Sequence, residues 1–218
     1  MDDKELFEEI NTHLLEDEIP SKYLINLKEK GILEKSFLSI ISDLEKVEQE
    51  EKHHPEGNVW NHTVQVIDEA AEQREKANNR REFMWAALLH DIGKKATTKI
   101  RKGRWTAYDH DRVGANEAKG ILENVTDDKD FIEGVSNLIR YHMSYLYVVK
   151  NLPFVKPEDI VLSSDVYDVA LLTYCDRIGR GEKTLKEKIE IVESINEFIE
   201  KINSISNKKY EKLDIIEK

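Results

Sequence analysis

The stretch FMWAALLHDIG, residues 83–93, is apolar on nearly every side and ends in a histidine, an aspartate and a glycine. A helix that is hydrophobic all round must be enclosed by other elements. The segment therefore predicts the central buried helix of a helical core, stopped at Gly93. The rest of the chain supplies enclosing layers at helical spacing. Leu6, Ile10 and Leu14 share one face, and Leu24, Leu27, Leu33, Phe37, Ile40 and Leu44 supply others, with Gly31 ending one helix. After the turn Pro55-Glu56-Gly57, Asn58 is placed to cap a helix whose apolar stripe is Val59, Val66 and Ala70. Further stripes follow: Val113, Ala118, Ile121 and Val125; then Phe131, Val135 and Leu138; then Val169 and Leu172. A long amphipathic helix from about Thr184 to Ile202 closes the chain.

No segment reads as a strand. KKATTKIRKGRWTAYDHD, residues 94–111, reads as a basic loop, and the charge run EKVEQEEK, residues 45–52, as a solvated helix face. The expected fold is all-α: a helical bundle over residues 51–218 with an N-terminal helical extension over residues 1–50, packed as one unit.

Composition removes several classes of function. A formal charge of −11 disfavours general nucleic-acid binding, which depends on fields of Lys and Arg. A small patch can still hold one phosphate group. No apolar run reaches the roughly 20 residues of a membrane span. The acidic start MDDKELFEEI is unlike a signal peptide, so a cytoplasmic location is expected. The single cysteine, Cys175, excludes an intrachain disulfide and a thiolate cage, so any metal must be held by His and carboxylate.

Five polar residues interrupt the apolar faces: His62, His90, Asp91, His142 and Asp176. Each alone has an ordinary explanation, a satisfied core histidine or an Asp176 paired with Arg177 or Arg180. Together they do not, because ionised carboxylates leave water only when paired or metal-bound. A helix leaving His62 and an antiparallel partner returning from Arg80 bring His62 and His90 to the same level. Imidazoles mixed with carboxylates suit Fe, Mn, Co, Ni or Zn better than Ca or Mg. Two carboxylates balance one divalent ion.

With His90-Asp91 in HDIGK, the chain resembles the HD superfamily of metal-dependent phosphohydrolases. HHPEGNVWNHT and CDRIGR resemble segments of the HD domains attached to bacterial CCA-adding tRNA nucleotidyltransferases, and LKEKGIL and ISDLEKVEQ resemble the connection before them. The resemblance implies His62, His90, Asp91 and Asp176 as metal ligands. It implies that His110 and His142 hold a second ion or contact substrate phosphate, and that Lys94 steadies a phosphate or the attacking water. Lys94 is also explained as a cation past a helix C-terminus, and His142 as purely structural. Arg177 and Arg180 are candidate phosphate contacts. The nucleotidyltransferase signature is missing, since none of the nine glycines is followed by Ser or Gly. CCA addition is therefore not expected, and tRNA is a doubtful substrate.

The resemblance implies hydrolysis of a phosphomonoester or cyclic phosphodiester, a nucleotide above all, by metal-activated water. The rival expectation is a non-catalytic, metal-stabilised helical module that binds a protein or RNA partner.

Overall fold

The computed structural model describes residues 2–214; Met1 and residues 215–218 of the ranges above lie outside them. Apart from one two-stranded sheet, the described residues form helices joined by short connections. Helices α1 (Asp3–Glu16), α2 (Ser21–Glu29) and α3 (Ser39–Asp43) precede α4 (Val59–Gln73) and α5 (Arg80–Leu89). A short α6 (Lys94–Thr97) leads into strands β1 (Thr98–Arg101) and β2 (Arg104–Ala107). Then come α7 (His110–Leu122), α8 (Lys129–Tyr141), α9 (Ser144–Val149), α10 (Pro157–Ser163), α11 (Val166–Ile178) and α12 (Leu185–Ile205).

Local chemistry starts these helices where they are needed. Asn58 accepts from Asn61 N to begin α4, and Asp165 accepts from Tyr167 N and Asp168 N to begin α11. Thr184 and Glu187 form a reciprocal capping box at the start of α12. The centre is α5, whose residues from Phe83 to Leu89 are all buried. α8 lays Phe131, Ile132, Val135, Leu138 and Ile139 inward, and α4 lays Val59, Val66, Ile67 and Ala70 inward. From the N-terminal side, Phe7 of α1 stacks against Trp85 at 4.8 Å between ring centroids, and Trp85 Nε1 donates to Asn11 Oδ1.

Three expectations need correction. Residues 98–107 form an antiparallel hairpin with Thr98 opposite Ala107 and Ile100 opposite Trp105. Its turn, Lys102-Gly103, holds both residues at positive φ (51° and 74°), which fits the twist of a two-residue hairpin. Gly93 does not stop a helix by a left-handed turn: α5 ends at Leu89. Gly93 is needed instead for close approach, since a Cβ there would lie 2.2 Å from the His110 carbonyl oxygen. Finally, the run 45–52 is no helix face. Beyond Lys46 the chain is irregular, Val47 is buried, and Gln49 and Glu50 are half-buried over the mouth of a cavity.

Candidate metal centre

The fold delivers the singled-out side chains to one place from five helices. His62 sits in the first turns of α4; His90 and Asp91 follow the last residue of α5; His110 opens α7; His142 follows the last residue of α8; Asp176 lies in the last turn of α11. Gly179 makes one of these approaches tolerable, because a Cβ there would fall 2.7 Å from Val66 Cγ2 and 2.9 Å from Val66 N on α4.

The five are nearly devoid of solvent contact, and His110 is also buried. His62 Nε2 lies 3.3 Å from His90 Nε2, 2.9 Å from Asp176 Oδ1 and 3.6 Å from Asp91 Oδ2. His90 Nε2 is 3.3 Å from Asp91 Oδ2. On the other side of the same carboxylate, Asp91 Oδ1 is 3.5 Å from His110 Nε2, and His110 Nε2 is 3.2 Å from His142 Nε2. Asp91 thus stands between two imidazole pairs. Among the described residues three donor sets lie within metal-chelating reach, His54–Glu56–His62 and the two that share Asp91, His62–His90–Asp91 and Asp91–His110–His142, with the atoms of each within 4.8 Å of one another. Asp176 adjoins the His62–His90–Asp91 set through His62, but both its oxygens also accept from Arg180 Nη2, at 2.8 and 2.6 Å.

The hydrogen-bond partners assign the tautomers. His90, His110 and His142 each place Nδ1 on the backbone carbonyl three residues earlier, at 2.9, 2.7 and 2.6 Å, so Nδ1 must donate. In the neutral ring each Nε2 is then a bare lone pair. His110 and His142 therefore aim two lone pairs at each other, and neither oxygen of Asp91 accepts a hydrogen bond in return, although Lys94 Nζ makes an ion-pair contact with Oδ2 at 2.6 Å. Buried acceptors facing acceptors are unfavourable unless a cation lies among them. This donor set fits a divalent cation, with His62, His90 and Asp91, adjoined by Asp176, as one holding group and Asp91, His110 and His142 as another.

The electrostatics agree. Burial, joined by repulsion from Lys94 at His110 and from His110 and His90 at His142, pushes both rings toward the neutral form, below the usual histidine range. For Asp91 burial opposes ionisation, but Lys94 and His90 outweigh it and hold the carboxyl well below the carboxylate range. At Asp176, Arg180 and His62 overcome burial in the same way. His62 behaves differently. Burial lowers its pKa, yet hydrogen bonds to Asp176 and Glu56 outweigh that and raise it above the usual value.

The remaining expected residues separate. Lys94 is buried between Asp91 and Gln49, whose Oε1 accepts from Nζ at 2.7 Å. Arg180 is committed to Asp176, whereas Arg177 turns to Tyr145, donating to its hydroxyl. A cavity of about 240 Å3 opens onto the centre, with Asp91, Lys94, His110, His142, Asp176 and Arg180 in its wall.

Sequence reasoning missed Gln49, His54 and Glu56. Glu56 Oε1 accepts from His54 Nδ1 at 2.8 Å and lies 3.0 Å from His62 Nδ1, which also faces the Gly179 carbonyl at 3.2 Å. Burial works against ionisation of Glu56, yet the two histidines bring its pKa down to about 2. His54 lines the cavity, and burial lowers its pKa to about 4. The available signal was positional: HHPEG stands just before the cap of the helix that carries His62, inside the segment that resembles the HD domains.

Residues 59–156 match the family described as HD domain. The multifunctional CCA protein of Pseudomonas fluorescens (strain Pf0-1) is 28% identical over 187 residues, covering 84% of this chain and 44% of that relative. The protein of the same name from Pseudomonas fluorescens (strain SBW25) is 28% identical over 190 residues, with the same coverage of both chains. That of Actinobacillus pleuropneumoniae serotype 5b (strain L20) is 36% identical over 115 residues, 51% of this chain and 27% of the relative. The chain spans less than half the length of these relatives.

Proposed function

We propose that this chain, which carries an HD domain over residues 59–156, is a divalent-metal-dependent phosphohydrolase acting on a phosphomonoester or cyclic phosphodiester, with a nucleotide as the substrate class. The observation that carries the reading is the set of Nε2 lone pairs gathered around a buried Asp91 that accepts no hydrogen bond. When bound, a divalent ion supplies Lewis acidity toward water and a phosphoryl group.

The chain's own groups supply the rest. His62, His90, Asp91 and Asp176 hold the ion, with Asp91, His110 and His142 the candidate second set. His110 and His142, each with its proton fixed on a backbone carbonyl, present only acceptor nitrogens to the cavity. They can bind a cation or take a proton at Nε2; they have none to give. Lys94 Nζ and the Arg180 guanidinium are the cations in the cavity wall; Arg180 is tied to Asp176, and Lys94 is the one with donors left for phosphoryl oxygens as charge grows on them. Gln49 Oε1 holds Lys94 beside Asp91 and leaves it donors to spare. The relatives' name concerns CCA chemistry, but the absence of a Gly-Ser or Gly-Gly turn gives no reason to extend nucleotide addition to this chain. Among the described residues no helix is long and apolar enough to cross a membrane, and we keep a cytoplasmic location as part of the proposal.

The test is elemental analysis of protein purified without chelators, paired with a phosphate-release screen over nucleotides and cyclic nucleotides under each candidate metal. Asp91→Ala is expected to lose both metal and turnover, because it removes the carboxylate common to the His62–His90 and His110–His142 donor sets. Parental metal content in that variant contradicts the assignment. Metal without turnover in the parental chain supports the non-catalytic module instead.

A further inference from the structure

A second cavity, of about 310 Å3, shares His53 and Arg180 with the reaction cavity. Its wall includes Lys52, Arg177 and Lys183 and contains no acidic side chain. The chain has 44 Asp and Glu against 33 Lys and Arg, so this wall gathers positive charge that the molecule as a whole lacks. Arg180 is neutralised by Asp176, which leaves the charge on Lys52, Arg177 and Lys183 to face the cavity.

Arg177 adds an independent observation. Its Nη1 donates to the Tyr145 hydroxyl and its guanidinium packs 5.3 Å from the centroid of that ring, but its buried Nε has no hydrogen-bond acceptor. A buried N–H on a cation is rarely left without an acceptor in a folded protein. The Arg177 side chain also lines the adjoining cavity, so an anion seated there meets its positive charge. Lys183 is fixed at the wall, its Nζ donating to the carbonyls of Arg180 and Gly181, and retains further donor capacity. A guanidinium beside flexible ammonium groups is the combination that recognises phosphate.

The geometry points to a second phosphate subsite here, separate from the metal centre and joined to it at Arg180. It rests on the phosphohydrolase reading for its relation to substrate, and it narrows that reading: the preferred nucleotide carries two phosphate groups, one at the metal centre and one among Lys52, Arg177 and Lys183.

Calorimetric titration of the metal-loaded chain with inorganic phosphate provides the first test. Lys52→Gln and Arg177→Gln are each expected to weaken the cavity's phosphate binding by about tenfold, the scale of one charged contact. Lys52 is exposed, so its variant keeps the test valid if Arg177→Gln does not fold. Unchanged phosphate affinity in the folded variants overturns the subsite. Asp91→Ala should still bind phosphate, since the cavity does not contain Asp91. If phosphate binding instead vanishes in folded Asp91→Ala, the anion belongs to the metal centre alone and the subsite is overturned while the hydrolase reading stands. In a chain that hydrolyses nothing yet keeps phosphate binding in Asp91→Ala, the subsite stands and the hydrolase reading falls. The second measurement compares adenosine 5′-monophosphate with adenosine 3′,5′-bisphosphate as ligands of the parental chain. Tighter binding of the bisphosphate, with the advantage lost in Lys52→Gln, supports the subsite; equal affinities overturn its role in substrate choice.

Discussion

One carboxylate oxygen, Glu56 Oε1, is shared by two imidazole Nδ1 atoms, and one of those rings turns its other nitrogen toward His90 and Asp176. By holding the proton of His62 on Nδ1, Glu56 reserves Nε2 as a lone pair and raises its basicity toward a cation. Glu56→Gln keeps the shape but removes the charge, so its divalent-ion affinity is expected to fall by about 10–100-fold. Competition titration with a chromophoric chelator measures this, and an affinity within about twofold of the parental chain rejects the role. Lys94 makes the opposite demand. Its ammonium touches Asp91 Oδ2, yet ammonium cannot ligate a metal, so Lys94→Met should retain the ion while kcat falls on the order of a hundredfold. Metal content and phosphate release read on the same sample distinguish the two outcomes; full turnover would make Lys94 only a charge that balances Asp91.

Between elements, the donors meet because α4, α5, α7, α8 and α11 approach closely at their ends, and two glycines admit the closest approaches. Gly179→Ala places a methyl group against Val66 backbone and side chain, separating the end of α11 from α4. Such overpacking costs about 1–3 kcal/mol, and Asp176 should move away from His62, so urea unfolding should shift to lower midpoints and metal content should drop. An unchanged midpoint would mean the two helices part freely. The helices themselves were legible, because apolar residues recur at helical spacing and Asn58, Asp165 and Thr184 stand where caps are needed. The hairpin was not: Ile100 is 61% exposed and Trp105 37%, so no buried face imposed an alternating pattern, and Lys-Gly is a weak turn signal beside Asn-Gly. Histidines and aspartates on apolar stripes announced a centre for the same reason the helices were readable. Gln49 and Glu56 lie in an irregular segment with no period to betray which way they face. Gly93 was recognisable as special, but only packing against α7 shows that space rather than φ is what it provides.

At the level of the whole molecule, a chain with net charge −11 concentrates acids at the join between α5, α8 and α11, away from the metal centre. Glu82 packs under Gly134, where a Cβ would sit 2.1 Å from its carboxylate, and burial followed by repulsion from Asp168, Asp128, Asp130 and Asp165 raises its pKa to about 7. Burial likewise raises Asp168 to about 6, even though its carboxylate accepts from the Asn78 and Asn79 amides. A carboxyl whose folded pKa lies above its unfolded value binds its proton more tightly when folded, so its contribution to stability declines as pH rises from the unfolded value through the folded one. For Glu82 that window runs from the ordinary glutamate value of 4.5 to about 7. His54, His110 and His142 act in the opposite sense: their depressed pKa values favour folding more strongly as pH rises toward 6.5. The parental profile is a sum of opposing trends, and the contribution of Glu82 emerges in a difference. Glu82→Gln retains an acceptor for the Asn79 amide and cannot ionise. Its melting temperature relative to the parental chain should rise from about pH 5 to about pH 8, with the gain nearly complete above about pH 7 as the parental carboxyl is forced to ionise. Thermal melts of both chains across that range test this, with metal content held equal so that ligand linkage does not enter. A difference that stays flat, or narrows toward the alkaline end of that range, would show that solvent or a cation already relieves the charge at this join.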